Sequence, residues 1–229
     1  MLKKISNIGD CGIMCDFGDD VNKETNKEVI KLFNFIKDAV NSRKINGILN
    51  FTPSYNKLII NFELGQIKSH QIIEFIKESD YSKIKLSEKK KLIEIPICYN
   101  EEYALDLKRL EEKTKLNFSE IIKKHLETDF FVYMIGFVPG QPFLGDIDKI
   151  LYHDRLDTPR IKINKGSVGI VEKFCTIYTF ESPGGWNIIG RTPYELFNIN
   201  KTITSILSPG DTVKFKSITK KEFQSFKNE

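Results

Sequence analysis

The chain has 229 residues, enough for one large domain or two small ones, and its 40% apolar content with 17 Phe excludes global disorder. Its 35 basic and 31 acidic residues are mixed along the whole length for a net charge of +4, which is typical of a solvated surface and disfavours a nucleic-acid groove. Without a signal-peptide core or a run of about 18–20 apolar residues, we expect no membrane partner and a cytoplasmic protein.

The amino-terminal part predicts alternating strands and helices. Apolar residues at spacings of three and four indicate helices, and short apolar runs between turn residues indicate strands. A further extended piece is expected after the second helix, and this order is typical of a split βαβ, ferredoxin-like α/β sandwich. The predicted elements are a strand at 11–17, a helix capped by Asp20 or Asn22, a hairpin of strands 45–51 and 57–62, and a helix from Ser69.

A polar, lysine-rich stretch at residues 81–91 marks a domain boundary. We therefore expect an α+β domain over residues 1–88 and a second domain over residues 89–229. The second domain opens with a strand at 92–98, where Pro96 indicates an edge position in a sheet. Helices are predicted over about 103–115 and 118–126.

The composition shifts near Gly136. Between Gly136 and Pro193 lie eight of the 14 glycines, five of the eight prolines and the single Trp. Short apolar runs at 167–171 and 176–180, separated by turn residues, predict a closed or nearly closed β barrel. A helix is expected to begin at Pro193, and residues 212–215 are expected to form a last strand.

General catalytic signatures are missing from the sequence. There is no Gly-x-x-x-x-Gly-Lys-Ser/Thr loop, so the chain carries no ATP-binding P-loop of its own. There is no Gly-x-Ser-x-Gly elbow, and the four Cys and three His lack the spacing of a tetrahedral metal set. The sequence therefore predicts neither a self-contained hydrolase nor a resident metal.

The arginines are informative because only five occur in a chain that otherwise uses Lys. Each Arg indicates a place where a planar, two-pronged donor is needed. Arg155, Arg160 and Arg191 lie within one stretch, which favours recognition of a carboxylate or phosphate. A structural role, with bonds to backbone carbonyls or to Glu181, is an equally good interpretation.

A second set of candidates lies just before Arg191. Gly184 and Gly185 would permit positive φ and let main-chain N–H groups approach a ligand. Trp186 would cover a ligand face or fill the end of the barrel. Glu181 is the best-placed carboxylate for proton transfer, although a salt bridge to Arg191 is the slightly favoured use.

The turn-rich segment 136–146 is either a structural loop or the wall of a pocket. Its Gly and Pro residues fix an irregular shape, and Phe137 and Phe143 are able to pack it down. His125 follows an apolar helix face, where a structural histidine is the usual interpretation and an acid–base role the alternative.

Four motifs together resemble the family of KipI and of the B-type component of 5-oxoprolinase, also called allophanate hydrolase subunit 1-like. They are GFVPGQPFLG at 136–145, TPR at 158–160, GSVGI at 166–170 and ESPGGWNIIGRTP at 181–193. They occur in the family's order, and amino-terminal and mid-chain patterns extend the resemblance over nearly the whole chain.

This resemblance implies an amino-terminal α+β domain followed by a cyclophilin-like β barrel. It also implies a complex with A-type and C-type subunits that hydrolyses 5-oxo-L-proline to L-glutamate, with ATP that this chain shares with its partner subunits. The site residues that it carries over are Arg155, Arg160 and Arg191 as anion-binding groups, Gly184 and Gly185 for main-chain contacts, and Phe137, Phe143 and Trp186 as walls. The full candidate set adds Ser167 for substrate or anion binding, Pro139 as a wall residue, and Glu181 and His125 for proton transfer.

Two other functions remain open at this point. Some relatives bear the name KipI, which implies an inhibitor that binds a sensor histidine kinase. Related domains also occur in biotin-dependent urea or allophanate carboxyltransferases, but the chain has no Met-Lys-Met biotin-acceptor segment and would again need partners.

Overall fold

The structure is a computed structural model that describes residues 1–84, 86 and 91–226. The chain divides into two compact units, residues 1–89 and 90–229. Each unit has a hydrophobic core of its own. No helix in the described part of the chain is both long enough and apolar enough to cross a membrane.

The first unit is an antiparallel sheet whose core is shared with two helices. The sheet order is β1-β2-β4-β3. Apolar side chains of the helices, such as Leu32 and Ile72, are buried in one cluster with Leu58 and Ile60 of the sheet. The elements are β1 (Lys4–Ile8), β2 (Gly12–Asp16), α1 (Lys23–Asn41), β3 (Ile48–Pro53), β4 (Lys57–Phe62) and α2 (Ser69–Glu78).

The ferredoxin-like arrangement predicted for this unit is not confirmed. That arrangement uses an extended segment after α2 to complete the sheet, whereas the place beside β2 is taken by β1. The sequence did not indicate β1, because Ile5 and Ile8 stand apart among polar residues. Pairing across the turn at Gly9, which has φ +57°, aligns Ile5 with Cys15. The next strand in the chain belongs to the second unit.

Among its described residues, the second unit has one large sheet, a separate two-stranded ribbon, three α-helices and a short 3-10 helix at Lys149–Leu151. The large sheet has the order β12-β9-β10-β7-β6-β13-β5, and β8 pairs with β11 in the ribbon. The strands are β5 (Leu92–Ile97), β6 (Phe130–Ile135), β7 (Pro142–Gly145), β8 (Arg160–Ile163), β9 (Ser167–Val171), β10 (Phe174–Ile177), β11 (Ser182–Gly184), β12 (Asn187–Arg191) and β13 (Thr212–Ser217); the helices are α3 (Leu107–Thr114), α4 (Phe118–Glu127) and α5 (Lys220–Ser225).

The two edges of the large sheet meet and nearly close it into a barrel. Cys98, directly after β5, donates its backbone N–H to the carbonyl of Arg191 at 2.8 Å, and Arg191 donates back at 3.0 Å. This isolated bridge joins the first and last strands of the sheet order. Inside lies a core that includes Ile97, Val168 and Ile177. A mixed α+β chain with a nearly closed seven-stranded sheet fits a cyclophilin-like barrel.

In this unit one local prediction is wrong, and one helix was not predicted. Instead of a helix from Pro193, the segment is irregular: the Thr192 hydroxyl accepts the Tyr194 N–H at 3.1 Å, and Phe197 forms a bridge with Ser205. Such a side-chain turn competes with the first helical hydrogen bonds. The sequence also missed α5, which Thr219 caps by accepting the Glu222 N–H at 3.2 Å.

Candidate functional site

Tyr178 lies beside several of the residues that the sequence singled out. Its hydroxyl accepts the backbone N–H of Trp186, and its ring is 2% exposed. Burial raises the pKa of Tyr178 to about 12, while the positive charges of Arg155 and Arg160 act on it in the opposite direction. We call the group of Tyr178, Gly184, Arg155, Arg160 and Asp106 the Tyr178 cluster.

Gly184 belongs to this cluster because it leaves room for the tyrosine hydroxyl. A Cβ atom at Gly184 would come within 2.3 Å of the Tyr178 hydroxyl oxygen and 2.7 Å of Ile163 Cδ1. The predicted reason, positive φ, is wrong, since neither Gly184 nor Gly185 has a positive φ. The glycine is needed for close packing of the ribbon on Tyr178.

Arg160 is held in the cluster by a buried carboxylate. Its two terminal nitrogens donate to Asp106 at 2.6 and 3.0 Å, and the same carboxylate accepts the Ile188 N–H at 2.6 Å. Asp106 is buried, and a planar fork is the group that satisfies both of its oxygens at once. Arg160 therefore ties ribbon strand β8 to the start of α3 and to β12. The sequence missed Asp106, because nothing in its local pattern points to a partner 54 residues away.

Arg155 presents its guanidinium group to solvent at the side of this cluster. The backbone around it is fixed: its carbonyl accepts a bond from Arg109 at 3.4 Å, and Leu156 donates its N–H to Gly185 at 2.8 Å. Among the described residues, no acidic side chain pairs with Arg155. An unpaired guanidinium on a fixed backbone near a buried tyrosine is suited to bind a carboxylate or phosphate.

Arg191 and Ser167 lie at the barrel seam, and Ser167 contacts the Tyr178 cluster through its backbone, since its carbonyl accepts the Tyr178 backbone N–H at 2.9 Å. The Arg191 Nε donates to the Lys165 carbonyl at 2.8 Å, and its guanidinium carbon lies 5.9 Å from the ring centroids of both Tyr103 and Phe223. Ser167 is its neighbour across the β9–β12 pairing. The structure thus brings Arg155 and Arg160 together and gives Arg191 a stacking role at the seam.

The two residues predicted for proton transfer occupy different environments. Glu181 forms an exposed ion pair with Lys162 at 2.7 Å, so the predicted bridge to Arg191 is wrong. His125 is fully buried in the core, where Tyr99 Oη lies 2.7 Å from Nδ1 and Cys175 Sγ lies 3.7 Å from Nε2. Burial lowers the pKa of His125 to about 3. This neutral, solvent-excluded ring fits the structural interpretation.

The predicted wall residues divide into two pairs. Trp186 is buried and packs edge-to-face on half-buried Phe143, with ring centroids 5.9 Å apart. Phe137 and Pro139 are exposed instead, so they do not share the burial of Trp186, and their role as pocket walls stays a prediction. The Pro139 carbonyl accepts a hydrogen bond at 2.8 Å from the hydroxyl of Thr179, the residue that follows Tyr178. This bond fixes the turn that carries Pro139.

A cavity that the sequence did not indicate lies beside α3 and α4 of the second unit. It has a volume of about 970 Å³, and its wall includes Tyr99, Glu101, Lys108 and Phe118. The sequence feature that could have indicated this cavity is the polar run that directly follows the predicted strand 92–98. No residue predicted for the site lines this cavity.

Within the described residues, no group of three or more His, Cys, Asp or Glu side chains is arranged to hold a metal.

Sequence comparisons identify relatives along the whole chain. Residues 3–207 match the family model "carboxyltransferase domain, subdomain C and D". The B-type component of the 5-oxoprolinase of Bacillus subtilis (strain 168) is 30% identical over 237 residues, which cover 99% of this chain and 97% of the relative. The corresponding 5-oxoprolinase component of Haemophilus influenzae is 43% identical over 123 residues, 54% of this chain and 58% of the relative.

Solved structures share the fold. The crystal structure of TTHA0988 matches 90% of this chain with a TM-score of 0.81 and 25% identity, and this chain covers 40% of that longer one. A conserved uncharacterized protein of Pyrococcus horikoshii, PH0987, is 33% identical over 96% of this chain and all of its own length, with a TM-score of 0.57. The K. lactis urea amidolyase, at 18% identity and a TM-score of 0.75, shows the fold alone.

Proposed function

The chain belongs to the carboxyltransferase subdomain C and D family, in the branch of the B-type 5-oxoprolinase components, and we propose that it is a subunit of a complex that hydrolyses 5-oxo-L-proline to L-glutamate with ATP. One observation carries this proposal: the similarity to the Bacillus subtilis relative extends over 99% of this chain and 97% of that protein. Both units of the fold are therefore included in the similarity.

The chemistry of the Tyr178 cluster is compatible with this substrate. 5-Oxo-L-proline carries one carboxylate, and the unpaired guanidinium group of Arg155 is a suitable donor for it. Arg160 contributes positive charge nearby but is already bonded to Asp106. In this proposal Arg155 binds the substrate carboxylate, while the Arg160–Asp106 pair positions the ribbon beside it.

ATP is assigned to the partner subunits in this proposal. The chain has no P-loop, and within the described residues the Tyr178 cluster offers only one unpaired guanidinium group, which does not fit a triphosphate. The Tyr178 cluster thus does not fit a nucleotide site. No reaction step is routed through ATP in this chain, and partner subunits of A and C type are expected to complete the enzyme.

Reconstitution tests the proposed function. The chain is purified with the products of its neighbouring genes, and 5-oxoproline-dependent ATP consumption and glutamate release are measured. Activity is expected only when the chain and its partners are combined. The absence of 5-oxoproline-dependent turnover in the complete complex contradicts the proposal.

The two alternatives are weaker. None of the relatives described above is named for a sensor histidine kinase or its inhibition, so the kinase-binding role gains no support. The carboxyltransferase role shares the family and the fold with urea amidolyase, but the identity to that structure is only 18%. The oxoprolinase role is therefore the one that we pursue.

A further inference from the structure

The turn between β6 and β7 holds an aromatic side chain in solvent at a conformational cost. Phe137 has φ +70° and is 76% exposed. A bulky non-glycine residue at positive φ is an outlier that the surroundings must enforce, and such outliers are concentrated at functional sites. The turn itself is closed by hydrogen bonds between Gly136 N–H and the Gln141 carbonyl at 3.0 Å, and between Gln141 N–H and the Val138 carbonyl at 3.1 Å.

A second loop packs against this turn and carries further exposed apolar residues. Phe197 lies on Gly140, where a Cβ would come within 2.3 Å of the Phe197 Cβ. Phe197 also pairs with Ser205, so residues 197–205 form a small hairpin. The hairpin directs Ile199 and Ile203 outward, with exposures of 72% and 73%.

Contacts between these loops make one surface. The ring centroids of Phe180 and Phe197 are 5.9 Å apart, and Phe180 is partly exposed. Thr179, the residue before Phe180, is bonded to the Pro139 carbonyl. We define the apolar rim as Phe137, Pro139, Phe180, Ile199 and Ile203. Contiguous exposed apolar residues on a folded unit indicate an interaction surface, in contrast to single exposed residues, which are ordinary.

We infer that the apolar rim binds the partner polypeptide that completes the 5-oxoprolinase, an inference that rests on the proposed function. The choice of a partner polypeptide as the ligand of the rim is based on the length of a relative. This chain matches only 40% of the TTHA0988 chain, so in that protein the same fold is joined to further polypeptide. The rim also adjoins the Tyr178 cluster through residues 178–180. A partner bound there would contact the segment that carries Tyr178.

The chemistry expected of the partner is an apolar face with a polar border. The rim is bordered by Glu195, which pairs with Lys165 at 3.0 Å and with Lys201 at 3.8 Å, so the surrounding charge is mixed in sign. A few central aromatic and aliphatic anchors inside a polar border carry most of the affinity in typical subunit interfaces. Phe137, Ile199 and Ile203 are the expected anchors.

Phe137→Gly separates a binding role from a structural one. Glycine adopts positive φ without strain, so the isolated variant is expected to melt at the same temperature as the parent or at a higher one. Its affinity for the partner chains encoded by the neighbouring genes is expected to fall about tenfold or more. The double variant Ile199→Ser/Ile203→Ser is expected to lose affinity for these chains by a similar factor. Affinity is measured by calorimetry with the full-length chain.

Leu92→Ser is the matched control. Leu92 is 60% exposed, and its strand neighbour Thr212 pairs with Phe131 near the start of β6, whereas the Phe137 turn follows the end of that strand. This variant is expected to bind the partners as the parent does. Parent-like affinity of both rim variants, or equal weakening by the control, would overturn the inference.

Further outcomes separate this inference from the proposed function. A complex that forms through the rim but shows no 5-oxoproline-dependent turnover removes the proposed function and retains the rim as a subunit interface. If the parent chain does not bind the partner chains at all, both proposals fail. If light scattering shows a homodimer that the rim variants dissociate, the surface binds a second copy and the inference about the partner is wrong.

Discussion

Asp106 accepts two hydrogen bonds from the guanidinium group of Arg160, at 2.6 and 3.0 Å. Its third bond, from the Ile188 N–H at 2.6 Å, makes the carboxylate a junction between α3, the ribbon and the barrel. These three hydrogen bonds replace the bonds to water that the Asp106 carboxylate loses on burial. A buried carboxylate stays charged only when its oxygens are bonded in this way.

Removal of Asp106 is expected to destabilise the second unit strongly. In Asp106→Ala, Arg160 and the Ile188 N–H lose their acceptor, and the free energy of unfolding should fall by about 3 kcal/mol. Arg160→Lys retains the charge but not the fork and should cost about 1–2 kcal/mol. Denaturant titration followed by circular dichroism measures both values.

Lys162→Met provides the reference for an exposed pair on the same strand. Lys162 pairs with Glu181 in solvent, so its removal should change stability by less than about 1 kcal/mol. The interpretation of Asp106 as a junction fails if Asp106→Ala proves no more destabilising than this variant.

The adjacent glycines are expected to respond differently to the same change. Gly184→Ala forces a methyl group against the Tyr178 hydroxyl, at 2.3 Å before relaxation, and should cost about 1–3 kcal/mol. Gly185→Ala meets nothing closer than 3.6 Å, from Pro159, and should be nearly neutral. Combining Gly184→Ala with Tyr178→Phe removes the clashing oxygen and should restore part of the loss. Thermal melts of the variants give the comparison, and equal effects at the two glycines would contradict it.

The burial of His125 should make the stability of the protein depend on pH in a specific way. Burial lowers its pKa from 6.5 to about 3, so between these values the unfolded chain binds a proton that the folded protein excludes. Stability must therefore fall as the pH falls through this window, by roughly 2–3 kcal/mol between about pH 6.5 and 4.5.

A His125→Gln variant isolates this contribution. It should be less stable than the parent at neutral pH, since it loses the packed ring, but the difference should shrink by roughly 2–3 kcal/mol near pH 4.5 because glutamine does not titrate. His70→Gln, on the exposed surface of α2, serves as the control and should follow the parent. Urea unfolding at each pH measures the difference, and a gap that stays constant would show that the burial of His125 does not control the dependence.

Arg155→Gln is expected to affect activity without affecting stability. Its guanidinium group has no acidic partner in the described part of the chain, so the melting temperature should not change. In the reconstituted complex, loss of a charged hydrogen bond to the substrate carboxylate should raise KM for 5-oxoproline about tenfold or more. Arg43→Gln, an arginine of the first unit, is the control. Unchanged kinetics for Arg155→Gln would remove Arg155 from the site.

Local sequence patterns were sufficient for much of the secondary structure. The helix α1 was predicted from its apolar spacing and from Asn22, whose side chain accepts the Thr25 N–H at 2.8 Å. The Gly- and Pro-rich composition after Gly136 correctly indicated short strands and turns. These features depend on residues within about four positions of one another, so the sequence displays them directly.

Tertiary structure alone decided how the candidate site is assembled. Asp106 meets Arg160 across 54 positions, and Tyr178 gives Gly184 its role through a contact that no motif spacing reveals. The same holds for β1. Its apolar pattern is weak, but the segment forms a strand because it pairs with the edge of β2. Sequence determined which residue types were available and where the chain turns. Pairing of distant groups depends on the folded backbone, since only folding brings their hydrogen-bonding partners within reach.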